Sequence, residues 1–166
     1  LRVKPIRPAA LALAAAVLLP WLAACSPTGE SAGGTEGTAQ GTAGLTVTNA
    51  RLVLAPVAGN PAAVYFDLAY SGAPGVSLTE VDVEGAGMTM IHDYAEDGGK
   101  MAMVMTDAVP LAAKGPVRFA PGGLHVMAMD PSDALKPGSS ARVTLILSDG
   151  TSTSILAPVR AAGDER

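Results

Sequence analysis

Met88-Thr89-Met90-Ile91-His92-Asp93-Tyr94, followed after Gly98-Gly99 by Met101-Ala102-Met103-Val104-Met105-Thr106, sets the fold class. In both segments one residue type recurs at every second position, the period of a strand, and no 3.6-residue period competes with it. Strand-like segments of similar length recur on either side between turn signals. They are Leu45 to Leu54, Ala63 to Tyr70, Val76 to Val83, Val117 to Ala120, Leu124 to Met129, Ala141 to Leu147 and Thr153 to Val159. The breaks carry Gly59-Asn60-Pro61, Ser71-Gly72, Pro121-Gly122-Gly123, Lys136-Pro137-Gly138 and Asp149-Gly150, all steric turn formers. Eight or nine short strands at this spacing predict an all-β, Greek-key antiparallel β-sandwich. A short helical turn is expected at Ser132 to Leu135, and there is no internal repeat.

The chain before this unit reads differently. Arg2, Lys4 and Arg7 precede an apolar run from Ala9 to Leu19, and Leu22-Ala23-Ala24 leads to Cys25, the sole cysteine. This has the parts of an export signal and resembles the bacterial lipoprotein signal, in which the cysteine is lipidated and becomes the mature N-terminus. A retained transmembrane anchor is the alternative, but residues 9–24 fall short of the roughly 20 that a bilayer span needs. The expected organisation is a signal peptide over 1–24, a lipidated Cys25 with a flexible linker to residue 44, a domain over 45–160 and a polar tail over 161–166. Residues 26–44 have no large apolar residue to bury. The location that follows is the cell envelope, on the extracytoplasmic face of the membrane, periplasmic or at the cell surface.

Composition narrows the chemistry. A chain of 166 residues with 49% hydrophobic residues has material for one core. Its net charge of −4, with eleven scattered cations, argues against a nucleic-acid partner. One cysteine excludes an intrachain disulfide and a thiolate zinc cluster. No Gly-x-Ser-x-Gly or metalloprotease motif accompanies the histidines, so no enzyme is expected. A blue-copper electron carrier would need a cysteine ligand inside the fold, and Cys25 lies before the linker.

All seven methionines and both histidines lie between Met88 and Met129, and within each strand they keep one parity: Met88, Met90, His92; Met101, Met103, Met105; His125, Met127, Met129. Each segment therefore presents one stripe of thioether and imidazole. The alternate positions, Thr89, Ile91, Ala102, Val104, Leu124, Val126 and Ala128, are the candidates for the interior face. Methionine is also a flexible core filler, and Met88 and Met105 are read as packing or rim residues. Thioether with imidazole is a ligand set for copper, above all Cu(I), whereas hard cations would find no carboxylate cage. Asp93, Glu96 and Asp97 beside His92 read as a solvated acidic loop, with guidance of a cationic partner as the alternative.

His92 is followed by ten residues and Met103, then twenty-one residues and His125, then one residue and Met127. That pattern resembles the His-x10-Met-x21-His-x-Met signature of the periplasmic copper chaperone family PCuAC. Gly99-Lys100-Met101-Ala102-Met103, Pro121 to Met129, and Pro61-Ala62-Ala63-Val64-Tyr65-Phe66 are similar to the family's local sequences. The resemblance spans about residues 45 to 150. It implies a cupredoxin-like sandwich with one exposed Cu(I) site, ligated by His92, Met103, His125 and Met127, with Met101, Met90 and Met129 as auxiliary candidates. It further implies delivery of copper to the copper centres of cytochrome c oxidase, sometimes alongside a Sco-type thiol protein. Copper storage or detoxification, or a surface lipoprotein binding a protein or solute without metal, are the alternative functions. Two departures stand out. Some members carry a His- and Met-rich C-terminal extension as a second copper site, whereas Ala161 to Arg166 has neither residue, so one site is expected, and Asn49-Ala50-Arg51 stands where many relatives place an aromatic residue.

Overall fold

A computed structural model describes residues 37–40, 44–111 and 115–164. The expected signal peptide, Cys25 and most of the linker lie outside these residues. Eleven strands form among the described residues: β1 (Gly37–Gln40), β2 (Leu45–Val53), β3 (Ala62–Tyr70), β4 (Ser77–Val83), β5 (Met88–Asp97), β6 (Lys100–Met105), β7 (Val109–Pro110), β8 (Val117–Phe119), β9 (His125–Met129), β10 (Ser140–Leu147) and β11 (Ser152–Arg160). The all-β class holds, with two short strands beyond the expected set. β7 is only a dipeptide, too short for alternation to reveal. β1 lies within the segment expected to be linker, where it pairs antiparallel with β2. A polar sequence can still complete a ladder, because the backbone supplies the hydrogen bonds.

The hydrogen-bonded path runs β6-β5-β9-β3-β2-β11-β10-β4-β7, with β1 on β2 and β8 on β3. The insertion of β9 between β5 and β3 is a Greek-key feature, although β11 pairs with β2 in parallel, the exception to an otherwise antiparallel architecture. The path curls over, so that β4 near one end approaches β5 near the other. There the Thr89 hydroxyl donates to the Val81 carbonyl. Ser132 to Leu135 is a hydrogen-bonded turn, Leu135 N–H donating to the Ser132 carbonyl at 3.0 Å, and not a helical one.

Alternation fills the space between the layers. Val64, Phe66 and Leu68 of β3, Val143, Leu145 and Leu147 of β10, and Ile155, Ala157 and Val159 of β11 are buried at every second position. Phe66 stacks on Phe119 of β8, ring centroids 4.3 Å apart. In β2 the buried parity switches from Leu45 and Val47 to Ala50 and Leu52. The switch occurs at Asn49, which has φ +57° and sits where the β2–β3 register slips, so one extra residue turns the chain over. Its side chain donates to Asp67 at 2.6 Å, which also accepts from Arg118 at 3.1 Å. The Asn49-Ala50-Arg51 stretch is thus a bulge held by polar contacts.

Candidate metal centre

Three consecutive strands of the path, β6, β5 and β9, carry the residues singled out above. β5 and β6 are joined by the tight turn Gly98-Gly99, both at positive φ (+58° and +81°), as a two-residue hairpin of matching twist requires. The register sets His92 opposite His125 and Met90 opposite Met127 on β9, and His92 opposite Met105 and Tyr94 opposite Met103 on β6. Paired residues share a face, as do residues two apart. His92, Met103, His125 and Met127 therefore stand on one face, the imidazoles directly across from each other and each methionine one pleat away from a histidine.

The opposite face of this sheet is the core side. Ile91, Val126 and Ala128 are buried there, as expected, and Leu124 packs partly against them. Ala102 and Val104 are not interior: Val104 is 38% exposed, because β6 is the terminal strand of the path and overhangs the core. Met103 is 47% exposed, so the face is open to an incoming ion or partner. Met88 and Met105 are more than half exposed, rim residues and not packing ones. Of the auxiliary candidates, Met90 is opposite Met127 and Met129 opposite Met88, whereas Met101 pairs with Glu96, two pleats from His92.

The histidines are prepared differently. His125 is buried, and its Nδ1 lies 2.8 Å from the carbonyl oxygen of Gly123. A carbonyl only accepts, so Nδ1 carries the proton and donates, which leaves Nε2 with a free lone pair. The acceptor comes from the Pro121-Gly122-Gly123 turn, itself closed by Gly123 N–H to the Ala120 carbonyl and Ala120 N–H to the Leu124 carbonyl. An outer-shell contact of this kind orients a metal-ligating ring. His92 has a buried Nδ1 without a hydrogen-bond partner among the described residues. Leaving a buried polar nitrogen unsatisfied costs free energy, which a ligand at that atom would recover. Burial, and secondarily the neighbouring His125, hold the His92 imidazole below its ordinary pKa of 6.5, in the neutral form that a metal requires. The two rings lie edge to face with centroids 5.8 Å apart.

Tyr94 escaped the sequence analysis. Its ring centroid is 5.7 Å from that of His125. Its parity with His92 was the available signal. Asp93 faces the other way, its carboxylate accepting from the Tyr94 backbone N–H at 2.8 Å. Among the described residues no three His, Cys, Asp or Glu side chains gather as a metal site. The arrangement can therefore hold a cation only with the methionines, whose neutral, polarisable sulfur favours a soft, reduced ion. The donor set fits Cu(I).

Known proteins share this fold. The family described as "Putative lipoprotein LpqE-like" matches residues 45–159. No curated protein matches the chain. Among solved structures, the apo PCuAC domain from PmoF1 is 25% identical and superposes with a TM-score of 0.59, over 75% of this chain and 98% of that one. The Cu(I) form of DR1885 from Deinococcus radiodurans is also 25% identical, TM-score 0.58, over 70% of this chain and 78% of that one. The copper-bound PCuAC domain from PmoF2, 22% identical, has a TM-score of 0.60 over 74% and 99%, and supports the shared cupredoxin-like fold. Among the described residues no helix is long and apolar enough to cross a membrane. With a β domain of this topology and a family match over almost all of it, the chain belongs to the LpqE-like family of PCuAC-type proteins.

Proposed function

We propose that this protein is a copper carrier of the cell envelope, which holds one Cu(I) between His92, Met103, His125 and Met127 and passes it to another protein. The observation that carries the proposal is the pair of facing imidazoles, one with an orphaned buried nitrogen and one oriented by Gly123, flanked on the same face by methionines. Copper-bound relatives of the same fold support the choice of metal. Imidazole supplies the stronger donation and thioether the preference for the reduced ion. Thioethers carry no charge, so a recipient with thiolates can take the ion downhill. The exposure of Met103 favours transfer over storage, because an incoming ligand can reach the ion from solvent. Outside the cytoplasm, where thiols oxidise, a Met/His site also keeps its ligands.

In this proposal Cys25 is the lipidated N-terminus on the extracytoplasmic side of the membrane, and the recipients are the copper centres of cytochrome c oxidase, directly or through a Sco-type thiol protein. Titration with Cu(I) against a chromophoric chelator tests the site. The expected result is tight binding by the wild type and its loss in the double variant His92→Ala, His125→Ala; unchanged affinity in that variant would overturn the ligand assignment. Incubating the loaded protein with apo-oxidase copper domains tests delivery, and failure to transfer to any of them would favour storage.

A further inference from the structure

The same face continues past the histidines. Along β5 and β9 the register pairs Met90 with Met127 and Met88 with Met129, directly after the pair His92 and His125. Two rows of two thioethers thus extend the imidazole pair, and Met127 is the only member that the copper site proposed above uses. The end of this ladder is fastened. Gly87 N–H donates to the Met129 carbonyl at 2.9 Å, and a Cβ on Gly87 would come within 3.2 Å of the Asp130 Cβ, a contact that would make the Asp130 side chain give by a few tenths of an ångström.

These methionines do not fill the core. Ile91, Val126 and Ala128 occupy the buried side of the same strands, while Met88 is 55% exposed and Met90 and Met129 are half-buried. Keeping apolar side chains in contact with water forgoes hydrophobic stabilisation, so three of them in adjacent register call for another use. Directly opposed strand positions have Cβ atoms about 4.5–5.5 Å apart and diagonal ones about 7–8 Å, within the reach of three-bond thioether side chains.

We propose that Met88, Met90 and Met129 form a second, thioether-only site for a soft monovalent cation, Cu(I) or Ag(I), one pleat away from the imidazole site. This goes beyond the carrier function and does not require it. Lacking imidazole, the second site binds more weakly than the first, and the flexible side chain of Met127, between the two, can turn to either ion.

The probe is Ag(I), which shares the ligand preference of Cu(I) without its redox chemistry, added to the full chain carrying Cys25→Ser so that no thiol competes. Native mass spectrometry counts the bound ions, and NMR of ¹³C-methyl methionine and of the histidine rings locates them. The expected result is two equivalents. The histidine rings respond to the first, and the Met88, Met90 and Met129 methyls shift with the second, at least tenfold weaker. Substituting Met88→Leu with Met129→Leu, which conserves volume, should abolish the second equivalent and spare the first; Met90→Leu alone should weaken it. The proposal is overturned if those three methyls stay unmoved at two equivalents, if they shift together with the histidine rings on the first, or if the double variant still binds two ions. Methyl shifts without any histidine response would support this site and count against the imidazole one.

Discussion

Acidification distinguishes a copper site built on His92 from one that merely lies near it. Only the neutral imidazole binds a metal, so protons compete with copper below the pKa of the ring. A ligand at the ordinary value of 6.5 would lower Cu(I) affinity by about thirty-fold between neutral pH and pH 5, since each unit below the pKa costs about tenfold. His92 lies below 6.5, first because burial disfavours its cation and second because His125 faces it. Its share of the loss at pH 5 is therefore smaller than thirty-fold, and its onset is displaced to lower pH. Replacing His92 by methionine, a donor that does not titrate, isolates that share. Cu(I) affinities of the wild type and of His92→Met are measured by chelator competition from pH 7.5 to 5. The ratio between them should stay level to below pH 6.5 and then fall with a slope of no more than one proton. A midpoint at or above 6.5, or a fall of thirty-fold or more by pH 5, would refute the reasoning. The metal-free protein carries the same signature with a definite sign. A histidine whose folded pKa lies below its unfolded value binds its proton first in the unfolded chain, so this contribution is intact above 6.5 and is lost as pH falls from 6.5 through the folded pKa.

Further outcomes follow from the same geometry. Met103→Leu, nearly isosteric, should weaken Cu(I) binding at least tenfold in the chelator assay while urea unfolding stays within about 1.5 kcal/mol of wild type; Val104→Leu, on the other face of β6, should alter neither beyond that range. Gly99→Val places a branched side chain at φ +81° and should cost about 1–2 kcal/mol in chemical denaturation, and copper affinity should drop with it because the turn sets Met103 opposite Tyr94. Phe66→Ala removes a fully buried ring stacked on Phe119 and should destabilise the domain by about 3–5 kcal/mol, read as a lower urea midpoint at unchanged slope.

Much of this was legible before any coordinates. The segments Ala63 to Tyr70, Ala141 to Leu147 and Thr153 to Val159 announced strands, which the structure extends by a residue or two at their ends, because each has one buried face, and a period of two is the signature of that condition. The parity of the methionines and histidines announced a shared face for the same reason. The overhang of β6 was not legible: Ala102 and Val104 look like core residues until the strand order shows β6 at the end of the path. Nor was β1, where residues 37–40 offer no apolar pattern in the sequence and pair antiparallel with β2.

What the amino-acid order determined by itself is local: the strands, their turns, and which side chains stand together on one side of each strand. Tertiary structure decided which strands became neighbours. It put β9 beside β5, against the order of the chain, and so brought His125 across from His92, thirty-three positions earlier in the numbering. It also supplied the Gly123 carbonyl that orients one ring and the burial that keeps the other neutral. The physical reason is that alternation is a property of one strand, whereas register, burial and hydrogen-bond partners depend on what packs against it.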